Sequence, residues 1–228
     1  MDYEGEFDRI PDLQEALEFA DNPDPRTPCV LLLDASASMQ GAPIAQLNAG
    51  LRTFAQALQA DALARRRVEV SVVTFGGQVQ VQDFVGAEQW HAPTLEASGA
   101  TPLGEALGRA LDRVGWRKRV YAEMGVPHTR PWVFLITDGA PTDAWEEVAA
   151  RVHRLSARKH VALFAVAVEQ ANLEILGRIA APERPPMRLA GLRFEELFEW
   201  LSNSLGQAAS VGPGQAVALA PVRGWAQA

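Results

Sequence analysis

Hydrophobic residues along this chain follow two patterns that alternate with each other. Val30-Leu31-Leu32-Leu33, residues 132–136 and residues 161–168 are runs without a polar side chain. Such runs read as strands buried on both faces, the kind found in the middle of a parallel sheet. Between them apolar residues recur at helical spacing. Ile44, Leu47, Leu51, Phe54, Ala55 and Leu58 predict a helix over 44–63, and further helices are predicted over 144–158, Leu173–Ile179 and 194–205. Residues 68–75 alternate and are rich in valine, Gly76-Gly77 marks a tight turn, and Val79, Val81 and Phe84 continue as a second strand. That pair reads as a hairpin. Residues 185–189 supply a last edge strand. The series predicts a doubly wound α/β sheet, mostly parallel, with one antiparallel edge strand and helices on both faces.

Punctuation residues refine the boundaries. Residues 85–100 are irregular and lead into Thr101-Pro102-Leu103-Gly104-Glu105. Threonine as N-cap, proline at the first helical position and an early glutamate predict a helix start there, with the helix running to about Trp116. Before the first strand, Leu13, Ala16, Leu17 and Ala20 have helical spacing, and Pro23, Pro25 and Pro28 enforce an extended lead-in. The chain therefore divides into an N-terminal extension (1–26), one α/β domain (27–205) and a C-terminal tail (206–228) with an extended segment over 217–219.

Composition narrows the function classes. With 228 residues, 48% hydrophobic and 21% charged, the chain can bury a sizeable core and is not a disordered segment. A net charge of −7 argues against non-specific binding to nucleic acid or an anionic membrane. The two basic clusters, Arg65-Arg66-Arg67 and Arg117-Lys118-Arg119, each fall at the end of a predicted helix and read as solvated C-terminal turns. The single cysteine, Cys29, excludes an internal disulfide and a cysteine-based zinc site, and reads as a small core residue. The acidic start carries no secretory signal and no stretch has the length of a membrane span, so a cytoplasmic protein is expected.

The residues with chemical potential sit at strand ends. Asp34, Ser36 and Ser38 follow the first buried strand, Asp138 follows another, and Thr101 opens a helix after an irregular loop. In a doubly wound sheet, loops at the carboxyl ends of neighbouring strands converge on one edge. Two carboxylates and three hydroxyls meeting there would offer only oxygen, which suits a hard cation such as Mg²⁺. Each residue also has an ordinary reading, as a helix cap or a turn.

Three segments together resemble a known family. Asp34-Ala35-Ser36-Ala37-Ser38 with Gly41, then Gly99-Ala100-Thr101-Pro102-Leu103-Gly104, then Leu135-Ile136-Thr137-Asp138-Gly139-Ala140-Pro141-Thr142-Asp143 are similar to the von Willebrand factor A domain and its metal-ion-dependent adhesion site. The resemblance spans about residues 27–205 and implies a Rossmann-like fold. It implies that Ser36, Ser38 and Thr101 contact Mg²⁺ (or Mn²⁺ or Ca²⁺) through hydroxyls. Asp34 and Asp138 would act through bound waters and by hydrogen-bonding the serines. A narrower resemblance, to bacterial tellurite-resistance-associated proteins, rests on residues 101–107, 138–143 and 191–205. Glu169-Gln170 departs from the pattern, since many relatives have a glycine there.

The arrangement implied by the family suggests recognition. Neutral hydroxyl ligands leave the ion's charge only partly neutralised, so an open position attracts an Asp or Glu carboxylate from a protein partner. The narrower resemblance implies stress or metal-resistance systems with kinase- or phosphatase-like components. The alternative is a Mg²⁺-dependent hydrolase acting on phosphoesters. An aspartyl-phosphate phosphatase would want a second aspartate where Ser36 stands, and His91, His128, His153 and His160 are scattered. A non-enzymatic module is therefore expected, with no catalytic residue.

Overall fold

In chain order the elements are β1 (Thr27–Asp34), a 3₁₀ turn (Ala37–Met39), α1 (Ala42–Ala60), α2 (Ala62–Arg67), β2 (Val68–Gly76), β3 (Gln78–Gly86), α3 (Leu103–Met124), β4 (Trp132–Thr137), α4 (Glu146–Ala157), β5 (Ala162–Ala167), α5 (Leu173–Ile179), β6 (Met187–Leu189), α6 (Phe194–Val211) and β7 (Ala226–Gln227). The structure is a computed structural model that describes residues 19–214, 219–222 and 224–227. Three of the four residues that suggest an N-terminal helix, and residues 217 and 218 of the expected tail segment, lie outside them.

Strand β1 explains why its run has no polar residue. Cys29, Leu31 and Leu33 face a core built with Leu51 and Phe54 of α1 and Phe198 and Leu201 of α6. Val30 and Leu32 face the opposite core, with Leu107 and Leu111 of α3, Val152 of α4 and Leu176 of α5. A strand buried on both faces has no polar side to alternate with. Within the first core α1 and α6 approach closely at Gly50, where a β-carbon would sit 2.6 Å from Phe198 Cδ2.

The sheet order is β3-β2-β1-β4-β5-β6-β7. Strands β2, β1, β4, β5 and β6 run parallel, and the β2–β3 hairpin supplies the antiparallel edge expected from Gly76-Gly77. The order reverses between β1 and β4, which makes their carboxyl ends the place where a doubly wound sheet opens a crevice. At the far margin the two-residue β7 pairs antiparallel with β6. It is anchored by Trp225, which is buried and packs at a tilt against Trp200 with ring centroids 5.1 Å apart; the Trp200 indole nitrogen donates to Ala220 O at 2.6 Å.

Three local expectations are corrected. Residues 44–63 form two helices rather than one, because Asp61 adopts extended backbone and accepts hydrogen bonds from Leu63 N and Ala64 N, capping α2. The helix after Thr101 passes Trp116 and ends at Met124, where Gly125 takes the left-handed conformation. Arg117 is consequently not in a solvated last turn. It is 2% exposed and donates to Glu69 Oε2 at 2.7 Å, while Arg26 donates to Glu69 Oε1 at 3.0 Å and Tyr121 OH also bonds Glu69. Burial alone would lower the Arg117 pKa, but the Glu69 charge beside it reverses the sign and raises it. This buried cluster closes the end of the sheet opposite the strand-end loops. Cys29 is buried among apolar side chains, which pushes its thiol pKa up and keeps it protonated. Among the described residues no helix is long and apolar enough to cross a membrane.

Candidate metal centre

Parallel register positions the site. Leu33 pairs with Ile136, so the strands end together and Asp34 lies beside Thr137, whose hydroxyl donates to Asp34 Oδ2 at 2.5 Å. The other carboxylate oxygen of Asp34 accepts from Ser36 N at 2.8 Å, which folds the chain sharply after β1. Ser36 Oγ and Ser38 Oγ then lie 3.0 Å apart, and Ser38 Oγ donates to Asp138 Oδ1 at 2.7 Å. Asp34 and Ser36 are buried, Asp138 is half-buried, and Ser38 is exposed. One edge of the cluster is thus open to solvent.

Thr101 arrives from a loop without regular structure, held by specific contacts. Asn48 of α1 exchanges two 2.9 Å hydrogen bonds with the Leu95 backbone. Ser98 N donates to Ala35 O at 2.8 Å, Ala37 N to Gly99 O at 3.0 Å, and Gly77 N to Ala100 O at 3.1 Å. Gly99 has φ +71, and a β-carbon on it would lie 2.4 Å from Gly77 Cα. Only glycine combines that backbone with that approach. Beyond it, Thr101 Oγ1 and Asp34 Oδ2 both lie within 4 Å of one point, the position a β-carbon on Gly139 would occupy. All five residues expected from the sequence (Asp34, Ser36, Ser38, Thr101 and Asp138) are brought to the one edge.

Thr101 does not cap its helix, contrary to expectation. No side chain of its own segment caps α3. Asp143 does so from the neighbouring loop, accepting from Gly104 N at 2.9 Å and Glu105 N at 2.7 Å. Thr142 completes the link, since Thr101 N donates to its hydroxyl at 3.2 Å and Thr142 N to Thr101 O at 2.9 Å. Thr137, Thr142 and Asp143 are the positioning residues that local pattern missed. Their signal is a set of hydroxyl and carboxyl residues flanking Asp138, Thr137 ending β4 and Thr142 and Asp143 in the loop behind it.

Burial is the largest influence on Asp34, raising its pKa, with hydrogen bonds from Ser36 and Thr137 opposing and the nearby Asp138 charge adding to the rise. Among the described residues no lysine, arginine or histidine pairs with Asp34 or Asp138. Two facing carboxylates without a cationic side chain call for a positive charge between them. The spacing fits one. Adjacent oxygens around an octahedral ion with bonds of about 2.0–2.1 Å stand roughly 2.9 Å apart. The 3.0 Å and 2.7 Å separations in the Ser36–Ser38–Asp138 chain match that edge. Oxygen alone is offered, so the residues fit a hard divalent cation.

The rim carries one unusual backbone. Glu169, just after β5, is exposed with φ +47, a conformation glycine adopts freely. Arg188 holds it there, donating to Glu169 O and, at 3.2 Å, to Ala171 O.

Comparison with known proteins agrees with this fold. The family model described as von Willebrand factor type A domain matches residues 29–197. No curated protein matches the chain in sequence. Among solved structures it is similar to a von Willebrand factor type A protein from Catenulispora acidiphila, with TM-score 0.63 and 16% identity over 80% of this chain and 43% of that one. It is similar to the pilus adhesin SpaC from Lactobacillus rhamnosus GG, with TM-score 0.65 and 12% identity over 80% of this chain and 31% of that one. Proximal thread matrix protein 1 from the mussel byssus, solved with zinc occupying its MIDAS motif, gives TM-score 0.53 and 16% identity over 81% of this chain and 48% of that one. The chain spans less than half the length of each of these three, and the likeness is one of fold. The family match covers most of the chain, and the protein belongs to the von Willebrand factor type A domain family.

Proposed function

We propose that this protein is a binding module that captures a protein partner through a divalent cation held by Ser36, Ser38 and Thr101, with Asp34 and Asp138 acting through water. Mg²⁺ is the ion that the ligand set favours, because it keeps several waters and takes few protein carboxylates directly. Mn²⁺ or Ca²⁺ would serve the same geometry. The observation that carries the reading is the chain of oxygens from Ser36 through Ser38 to Asp138 beside the buried, cation-free Asp34. Hydroxyl ligands leave the ion electron-poor, and its open position draws an Asp or Glu carboxylate from the partner. Support in kind comes from similarity to a pilus adhesin and to a matrix protein with zinc in its MIDAS motif.

The finer setting in this reading is a cytoplasmic stress or tellurite-resistance system, with kinase- or phosphatase-like proteins as companions. It rests on the segments at 101–107, 138–143 and 191–205. A phosphoester hydrolase would call for an acid or base beside the metal loops besides the two carboxylates assigned to the ion. His128 and His153 instead bond the carbonyls of Thr129 and Ala180. The reading therefore assigns no reaction.

Affinity capture from native lysate tests the function, run with Mg²⁺, with chelator and with the Asp34→Ala protein as bait. The expected result is a partner set retained only by wild-type bait with metal and released by excess acetate or glutamate. Retention indifferent to chelator and to Asp34 would overturn the reading.

A further inference from the structure

A second recognition element adjoins the metal loops. The β2–β3 hairpin and the loop before Thr101 leave between them a cleft of about 330 Å³. Its inner end is Ala35, the residue between Asp34 and Ser36, whose carbonyl is tied to Ser98 N at 2.8 Å. Gly76 contributes to the floor, packed so tightly that a β-carbon there would lie 2.1 Å from Ala35 O. The base of the cleft and the metal loop are therefore one rigid unit.

The walls carry unspent polar groups. Thr74, Gln78 and Gln80 line the hairpin side, Glu96 and Ser98 the loop side, and none of these side chains has a hydrogen-bond partner among the described residues. Glu96 is the one charged group among the lining residues. The lining thus presents three kinds of oxygen acceptor (hydroxyl, amide carbonyl and carboxylate) converging on one small volume. A guanidinium has five N–H donors in a planar fork and no acceptor, so it uses such a spread of oxygens where an ammonium point charge would use mainly one. The volume sits at the low end of ligand pockets, about 300–1,000 Å³, which suits a single long side chain.

We propose that this cleft reads an arginine close in sequence to the partner's metal-binding Asp or Glu. The inference rests on the carboxylate-capture reading above and specifies the partner it selects. An extended peptide advances about 3.3–3.6 Å per residue, and the cleft opens one residue from the metal ligands, so the arginine stands within about three positions of the acid.

The test uses the full chain with Mg²⁺ and a synthetic octapeptide series. Each peptide carries one central glutamate, with an arginine scanned through three positions on either side and replaced in turn by lysine, glutamine and alanine. One register of arginine is expected to bind at least about tenfold more tightly than its alanine counterpart, with lysine between them. Glu96→Gln should erase most of that preference while Mg²⁺ affinity, read by calorimetry, is unchanged. The paired Gln78→Ala, Gln80→Ala substitution should reduce the arginine-over-lysine difference. Glutamate peptides that bind with Mg²⁺ but without arginine preference, or with a preference that survives Glu96→Gln, would overturn the cleft assignment and leave the metal reading standing. Mg²⁺ binding without retention of any peptide would also overturn it. Absence of Mg²⁺ binding would overturn both.

Discussion

Ser38 donates a 2.7 Å hydrogen bond to Asp138, a hundred residues further along the chain, and so links the loops at the ends of β1 and β4. Ser38 is exposed, so its hydroxyl contributes little to the core. Ser38→Ala is expected to weaken Mg²⁺ binding by about 10–100-fold. Its unfolding midpoint in urea should stay close to wild type. Calorimetric titration beside equilibrium denaturation checks both halves.

Asp143 couples the loop between β4 and α4 to helix α3. Its carboxylate satisfies two backbone N–H groups that a helix start leaves without partners. Asp143→Ala should lower stability by about 1–2 kcal/mol, and Asp143→Asn should recover most of it. Because Thr101 precedes that helix start, the alanine variant should also bind Mg²⁺ more weakly although residue 143 is no ligand. Urea denaturation and metal titration of the two variants separate capping from ligation.

Two glycines with similar backbone make a matched comparison. Gly99 and Gly125 have φ +71 and +66, but only Gly99 is crowded, by Gly77. Gly125→Ala should lose about 1–2 kcal/mol from left-handed backbone alone and leave Mg²⁺ affinity intact. Gly99→Ala adds overpacking, for a total of about 2–5 kcal/mol, and should impair metal binding by displacing Thr101. Thermal unfolding with and without Mg²⁺ gives both readings.

Glu69 tests the opposite end of the sheet. Removing it takes the carboxylate from between two buried guanidinium groups, Arg26 and Arg117. Glu69→Ala should cost about 3–5 kcal/mol, while the folded fraction keeps wild-type Mg²⁺ affinity. Denaturation and titration at low temperature check the pair of outcomes.

The sheet and the candidate metal residues are legible because they depend on local pattern. Val30 through Leu33 has no polar face, which only a doubly covered strand explains, and Asp34, Ser36 and Ser38 follow it directly. What escaped depends on partners distant in sequence. Arg117 looks like a helix end because its partner, Glu69, is 48 residues away. Thr101 looks like a cap because Asp143, the true cap, arrives from another loop. Asp61 is the exception, since an aspartate two and three residues before the amides it accepts is a local signal, masked by an unbroken apolar stripe on either side. Glu169 stood out only as a departure from a glycine pattern, and its φ of +47 supplies the physical reason a glycine suits that position.

Calorimetric titration of Mg²⁺ into the purified chain tests the central claim most directly, with Asp34→Ala and Thr101→Ala as comparisons. The account predicts one saturable site in the wild type and its loss in both variants, each remaining folded by circular dichroism. A wild-type chain giving no heat and no thermal shift with Mg²⁺, Mn²⁺ or Ca²⁺, or variants that bind as it does, would contradict the account.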